Sequence, residues 1–131
     1  MLLCICFSSC TKENIIDLRD EFTGQYKGTS SVSIPTLLVN TTDNLNFSIT
    51  KSSTNSTQII VDGSLANVSG NTYTYIEFSE TANSPTYGSY VMIFNGKGTY
   101  LGSTIYESGT IKVVIAGTTH TGTWTSKSTK L

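Results

Sequence analysis

At 131 residues and a net charge of -1, the chain has room for one domain and no excess of positive charge to draw nucleic acid. Charged residues make up 13 %, about half the usual globular share, while hydrophobics at 37 % and aromatics at 10 % are enough to fill one core, which excludes a disordered chain. The polar remainder is Ser, Thr, Asn and Gly, and together with the aromatics this composition favours strands joined by tight turns.

The chain opens on an apolar run, Met1-Leu-Leu-Cys-Ile-Cys-Phe-Ser-Ser9, far shorter than the roughly 20 apolar residues a bilayer span needs. It fits the apolar and cleavage-site portions of a secretory signal. No Lys or Arg precedes Cys10 and the run is short for a signal, so a start upstream of Met1 is expected. All three cysteines, Cys4, Cys6 and Cys10, fall in the first ten residues. Cleavage before Cys10 would leave one cysteine, too few for a disulfide or a cysteine-built zinc site. The rival, a Cys-x-Cys-x-x-x-Cys metal site, lacks a nearby His. Phe7-Ser8-Ser9-Cys10 resembles a bacterial lipobox, in which small residues precede a Cys that is diacylated and becomes the mature N-terminus; Phe7 stands where Leu is commoner. The resemblance implies a signal peptide over 1–9 and lipidation of Cys10. It also implies a place in the bacterial cell envelope as an outer-membrane lipoprotein, facing the periplasm or the surface. Two or more acyl chains make such a tether firm.

Residues 10–21 read as the lipidated Cys and a charged spacer, with at most one helical turn and with Asp17, Asp20 and Glu21 as solvated charges. From Phe22 the period becomes two. Phe22, Gly24, Tyr26, Gly28, Val32 and Ile34 share a face in a long first strand, which Pro35 ends. Asn40–Asn44 reads as a turn, Leu45–Thr50 as a strand, Ser52–Ser56 as a turn, and Thr57–Leu65 as a third strand. Further strands are predicted at Tyr73–Ser79, Ser89–Phe94, Gly98–Tyr106, Thr110–Ala116 and His120–Lys127. Asn95-Gly96 carries the signature of a two-residue hairpin turn, and Glu107-Ser108-Gly109 and Gly117-Thr118-Thr119 read as turns. Gly24, Gly28, Gly102 and Gly122 suit strongly bent strands. The expected fold over 22–131 is all-β: an antiparallel up-and-down meander of about eight strands closed into a β-barrel, which leaves no exposed edges.

The segment Phe22-Thr-Gly24-Gln-Tyr26-Lys-Gly28 resembles the first strand of the calycin superfamily, which includes lipocalins and avidins; Tyr26 stands where their Gly-x-Trp element has Trp. The C-terminus offers Lys127 and Lys130 but no closing Arg to pack over that aromatic. After a lipobox and charged spacer, the layout is similar to small lipocalin-like lipoproteins of the Bacteroidetes envelope. This resemblance implies a barrel whose mouth takes a ligand.

Chemistry-bearing residues are sparse. His120 is the lone histidine, without an evident acid partner, and Asp43, Asp62, Glu77, Glu80 and Glu107 are scattered. No Gly-x-Ser-x-Gly elbow occurs, so no enzyme activity, cofactor or metal is expected. The aromatics with polar handles are the candidate pocket lining: Tyr26, Tyr75, Tyr90, Tyr100 and Trp124, for a small hydrophobic or glycan ligand. The expected function is a membrane-anchored envelope lipoprotein with a small-ligand-binding or accessory barrel. The alternative is a protein-interaction or inhibitor module presenting loops such as Thr81–Gly88.

Overall fold

A computed structural model describes residues 16–131, so the expected signal segment and Cys10 lie outside the described residues. A 3₁₀ turn at Leu18–Glu21 leads into nine strands: β1 Gly24–Ile34, β2 Val39–Lys51, β3 Gln58–Val61, β4 Ser64–Ser69, β5 Thr72–Tyr75, β6 Phe78–Ser84, β7 Gly88–Leu101, β8 Thr104–Ile115 and β9 Thr118–Lys130. They form one sheet in the order β5-β4-β3-β2-β1-β9-β8-β7-β6, and β5 also pairs with β7, so hydrogen bonds run round a ring. The fold is all-β, antiparallel, meander-like and barrel-like.

Nine strands replace the expected eight for local reasons. Asp62 and Gly63, with φ of 48° and 83°, take the positive values of a type I′ turn and split the expected strand Thr57–Leu65 into the β3–β4 hairpin. The expected strand Tyr73–Ser79 is broken as well. β5 and β6 lie end to end along one edge of β7, but between the Thr74↔Lys97 and Phe78↔Phe94 pairs the first chain carries one extra residue. That is a β-bulge at Ile76–Glu77.

Three expected turns are strand instead. Asn40–Asn44 pairs with Thr29–Ser33 inside β2, where the outer edge is free and polar side chains stand in solvent. Asn95-Gly96 lies inside β7 and Glu107-Ser108-Gly109 inside β8, paired as Gly96↔Gly109, Lys97↔Ser108 and Gly98↔Glu107. The reversal comes later, at Gly102-Ser103, within the predicted strand Gly98–Tyr106; Gly102 belongs to that turn and not to a bent strand interior. The first strand does end at Pro35, and Ala116-Gly117 forms the β8–β9 turn.

The ring is closed at one end and slotted at the other. β3 pairs only with Ile49–Lys51 of β2, and β4 reaches β7 only through the short β5. Beyond them, the Val39–Phe47 part of β2 and the whole of β6 have no partner on their outer edges among the described residues. The apolar interior divides accordingly. Phe22, Tyr26, Phe47, Ile49, Ile59, Val61, Ala66, Tyr73 and Ile105 fill the closed end. Ile34, Ile111 and Val113, with half-buried Val32, Tyr90, Met92, Phe94 and Trp124, line the slotted end.

The packed structure begins ahead of Phe22. Asp17 caps the 3₁₀ turn, accepting from the Arg19 backbone N–H at 3.0 Å, and its carboxylate pairs with the Arg19 guanidinium at 2.8 Å. Arg19 Nη1 donates to the carbonyls of Ser52, Asn55 and Gln58, pinning this turn across the β2–β3 loop. Lys51 pairs with Asp17 at 3.2 Å and also with Asp20. Asp17 and Asp20, expected as solvated spacer charges, keep solvent exposure and are tied to the domain through Lys51. The Arg19 hydrogen bonds hold the Asp17 carboxyl well below the usual carboxylate range.

Candidate functional site

A cavity of about 200 Å³ lies between the two cores and opens at the slot between β2 and β6, above the β3–β4 turn. Leu45, Phe47, Phe78, Phe94, Tyr75 and Trp124 make its apolar wall; Ser30, Ser126 and Glu107 supply polar groups inside, with Asp62 and Glu80 at the exposed margin.

The cavity exists because small residues hold back the wall. Gly96 and Gly109 face each other across β7 and β8, and Trp124 lies over them. A Cβ on Gly96 would sit 2.6 Å from Trp124 Cζ2, and one on Gly109 would sit 2.7 Å from Trp124 Nε1. The indole therefore needs glycine at both positions, and its N–H donates to the Asn95 carbonyl at 3.0 Å. This is where the Asn-Gly pair acts: as a floor for a ring. Gly98 has the same part for Tyr73, whose Cε1 would lie 2.6 Å from an added Cβ. That close approach carries the Tyr73 hydroxyl to β8.

There it meets Glu107. The carboxylate is 6 % exposed and is held by three hydroxyl donors: Ser126 to Oε1 at 2.6 Å, Tyr73 to Oε2 at 2.9 Å, and Tyr75 to Oε2. Burial first, and then the Glu107 charge, push the Tyr73 and Tyr75 phenols far above their ordinary range, so both stay protonated donors. Taking a carboxylate out of water costs several kcal/mol, and charge-assisted hydroxyl bonds are what offset it here. Oε1 accepts one bond where a carboxylate oxygen has room for two, so acceptor capacity is left over. The aromatic wall is continuous: Tyr75 sits 6.0 Å from Trp124 and 6.0 Å from Phe78, and Phe78 stacks on Phe94 at 5.1 Å.

Of the five predicted lining residues, Tyr75 and Trp124 stand in this wall. Tyr26 lies in the closed-end core, stacked on Phe47 at 5.3 Å and donating to the Phe22 carbonyl at 2.7 Å. Tyr100 packs against Phe22 at the same end, and Tyr90 belongs to the slotted-end apolar cluster. Sequence reasoning passed over Glu107, Phe78, Phe94 and Ser126. Glu107 carried a usable signal, since the period of two in Ile111, Val113 and Ile115 runs back through Gly109 and Glu107 to Ile105 and puts the acid indoors. His120 shares a hydrogen bond with Thr36 at 2.9 Å on the rim, away from the cavity. Among the described residues no group of three His, Cys, Asp or Glu side chains converges to hold a metal.

No family model and no curated protein matches the sequence. Among solved structures, the chain is similar to a protein of unknown function from the DUF3598 family of Nostoc punctiforme, at a TM-score of 0.48 and 8 % identity. The match covers 89 % of this chain and 50 % of the other, so the chain spans half the length of that protein.

Proposed function

We propose that the protein is a cell-envelope lipoprotein, tethered through a lipid on Cys10, whose barrel-like domain holds a small ligand. The observation behind the binding half of this reading is the cavity of about 200 Å³, aromatic-walled, furnished with a few convergent polar groups and reached from solvent through the slot. An engineered apolar cavity of roughly 150 Å³ takes up benzene, so this volume suits a molecule somewhat larger. An eight-strand ring is likewise about wide enough for one small ligand.

A lipocalin-like origin is supported by the closed end. Lys130 Nζ lies 5.7 Å over the Tyr26 ring and 5.1 Å over Tyr100, and donates to the Glu21 carbonyl at 2.6 Å. A C-terminal cation thus packs over the first-strand aromatic, the arrangement that calycins build from Arg and Trp. The protein-interaction alternative draws its support from the unpaired edges of β2 and β6, to which an extended segment can add.

Ligand-observed NMR with a library of single-ring fragments tests the binding. Hits are expected on the full chain, with loss on Ser30→Phe, which fills the cavity from β1. Hits that persist in Ser30→Phe, or an absence of hits, would overturn it. Mass spectrometry of the membrane fraction tests the tether: a mature N-terminus at acylated Cys10 is expected, and a soluble chain with residues 1–9 intact would end that half of the proposal.

A further inference from the structure

We infer that the ligand is a small organic cation, an ammonium on an aromatic or compact apolar body, seated with its charge against Glu107. The inference rests on the ligand-binding reading above and sharpens its chemistry. Glu107 lines the cavity as a buried carboxylate whose three partners are all neutral hydroxyls. Among the described residues no Lys or Arg lines the cavity and no salt bridge involves Glu107. The hydroxyl donors fix the carboxylate in place and solvate it, yet none of them is a counter-ion, and Oε1 keeps room for a further donor.

The walls fit the same class of guest. Tyr75, Phe78, Phe94 and Trp124 present ring faces or edges around one space, and the quadrupole of an aromatic face attracts a cation. Asp62 and Glu80 at the margin add negative potential along the route in, which raises the local concentration of cations and repels anions. A neutral guest would gain the apolar contacts alone. An anionic guest would meet Glu107 with no cation to neutralise either charge.

The test uses three probes of one shape, titrated calorimetrically into the full chain: phenethylamine, phenethyl alcohol and phenylacetate. The amine is expected to bind about tenfold or more tightly than the alcohol, the worth of one charge-assisted hydrogen bond, and phenylacetate is expected not to bind. Glu107→Gln keeps the side-chain shape and should cut the amine's advantage over the alcohol to the few-fold preference that Asp62 and Glu80 supply, vanishing at high salt. Asp62→Asn with Glu80→Gln, both exposed and outside the core, should weaken the amine alone, by a few-fold at low salt and less at high salt. Equal or tighter binding of the alcohol or of phenylacetate overturns the cationic assignment and leaves a small-ligand site standing. Binding of none of the three overturns the assignment and the ligand-binding reading together. The ranking is measured on the unaltered chain, so it decides the matter even where Glu107→Gln fails to fold.

Discussion

Replacing Tyr73 by Phe removes one oxygen from the described structure and little else. The ring is fully buried, with edge contacts to Phe22 at 5.5 Å and Tyr75 at 5.6 Å that Phe retains. What goes is the 2.9 Å bond to Glu107 Oε2, leaving the carboxylate with Tyr75 and Ser126 alone. A bond to an ionised group is worth about 1.5–3 kcal/mol, so the variant should lose about 2 kcal/mol of stability. In a Glu107→Gln background the same hydroxyl donates to a neutral amide oxygen, and its removal should cost about 1 kcal/mol. Urea unfolding followed by circular dichroism measures both; at a slope of roughly 2 kcal/mol per molar, the first loss moves the midpoint by about 1 M. A cost below about 0.5 kcal/mol, or the same cost in both backgrounds, would refute the claim that Tyr73 stabilises a buried charge.

Gly109→Ala forces a methyl group against the Asn95 carbonyl and the Trp124 indole; a loss of about 3 kcal/mol and a red-shifted Trp emission are expected, while an unchanged spectrum would remove the glycine floor from the account. The Tyr73 and Tyr75 phenols are raised above their ordinary value of 10 by burial and by Glu107, so the stability they contribute is complete below about pH 10 and is lost as pH rises beyond it. Stability measured from pH 8 to 11 should fall at the alkaline end, and less steeply in Tyr73→Phe; equal slopes would contradict this. The Asp17 carboxyl is lowered from 3.8 by Arg19, so its contribution is present above that value and lost as pH falls below it. Asp17→Asn should flatten the acid limb of the stability curve, and an unaltered limb would show that this ion pair does not tie the 3₁₀ turn to the domain.

The strand content was open to reading wherever one face is apolar. Tyr26, Val32 and Ile34 in β1, and Ile111, Val113 and Ile115 in β8, announce themselves by alternation because each second side chain enters a core. Asn40–Asn44 and Glu107–Gly109 read as turns by side-chain polarity, whereas the backbone there is paired regardless of what the side chains do. Asn95-Gly96 met every local condition for a hairpin and still runs straight, since β8 offers it a partner and Trp124 needs the space its glycine leaves. The bulge at Ile76–Glu77 had no local signal at all; it arises from the need of one chain segment to serve β4 at one end and leave the slot at the other. Of the site, Tyr75 and Trp124 were legible as aromatics with a polar handle. Glu107 was not, because a lone acid in Glu107-Ser108-Gly109 looks like turn chemistry until the strand's parity is carried through it.

The proposed small-molecule site around Glu107 is open to direct observation in solution. The most direct measurement is a ¹H–¹⁵N NMR titration of the full chain with phenethylamine, following the Trp124 indole N–H and the amides of Phe78, Phe94, Tyr75 and Glu107. Saturable shifts gathered on these groups, and silent amides around Tyr26 and Ile105 at the closed end, are the predicted result. Shifts scattered over the outer surface, or none at millimolar probe, would contradict it.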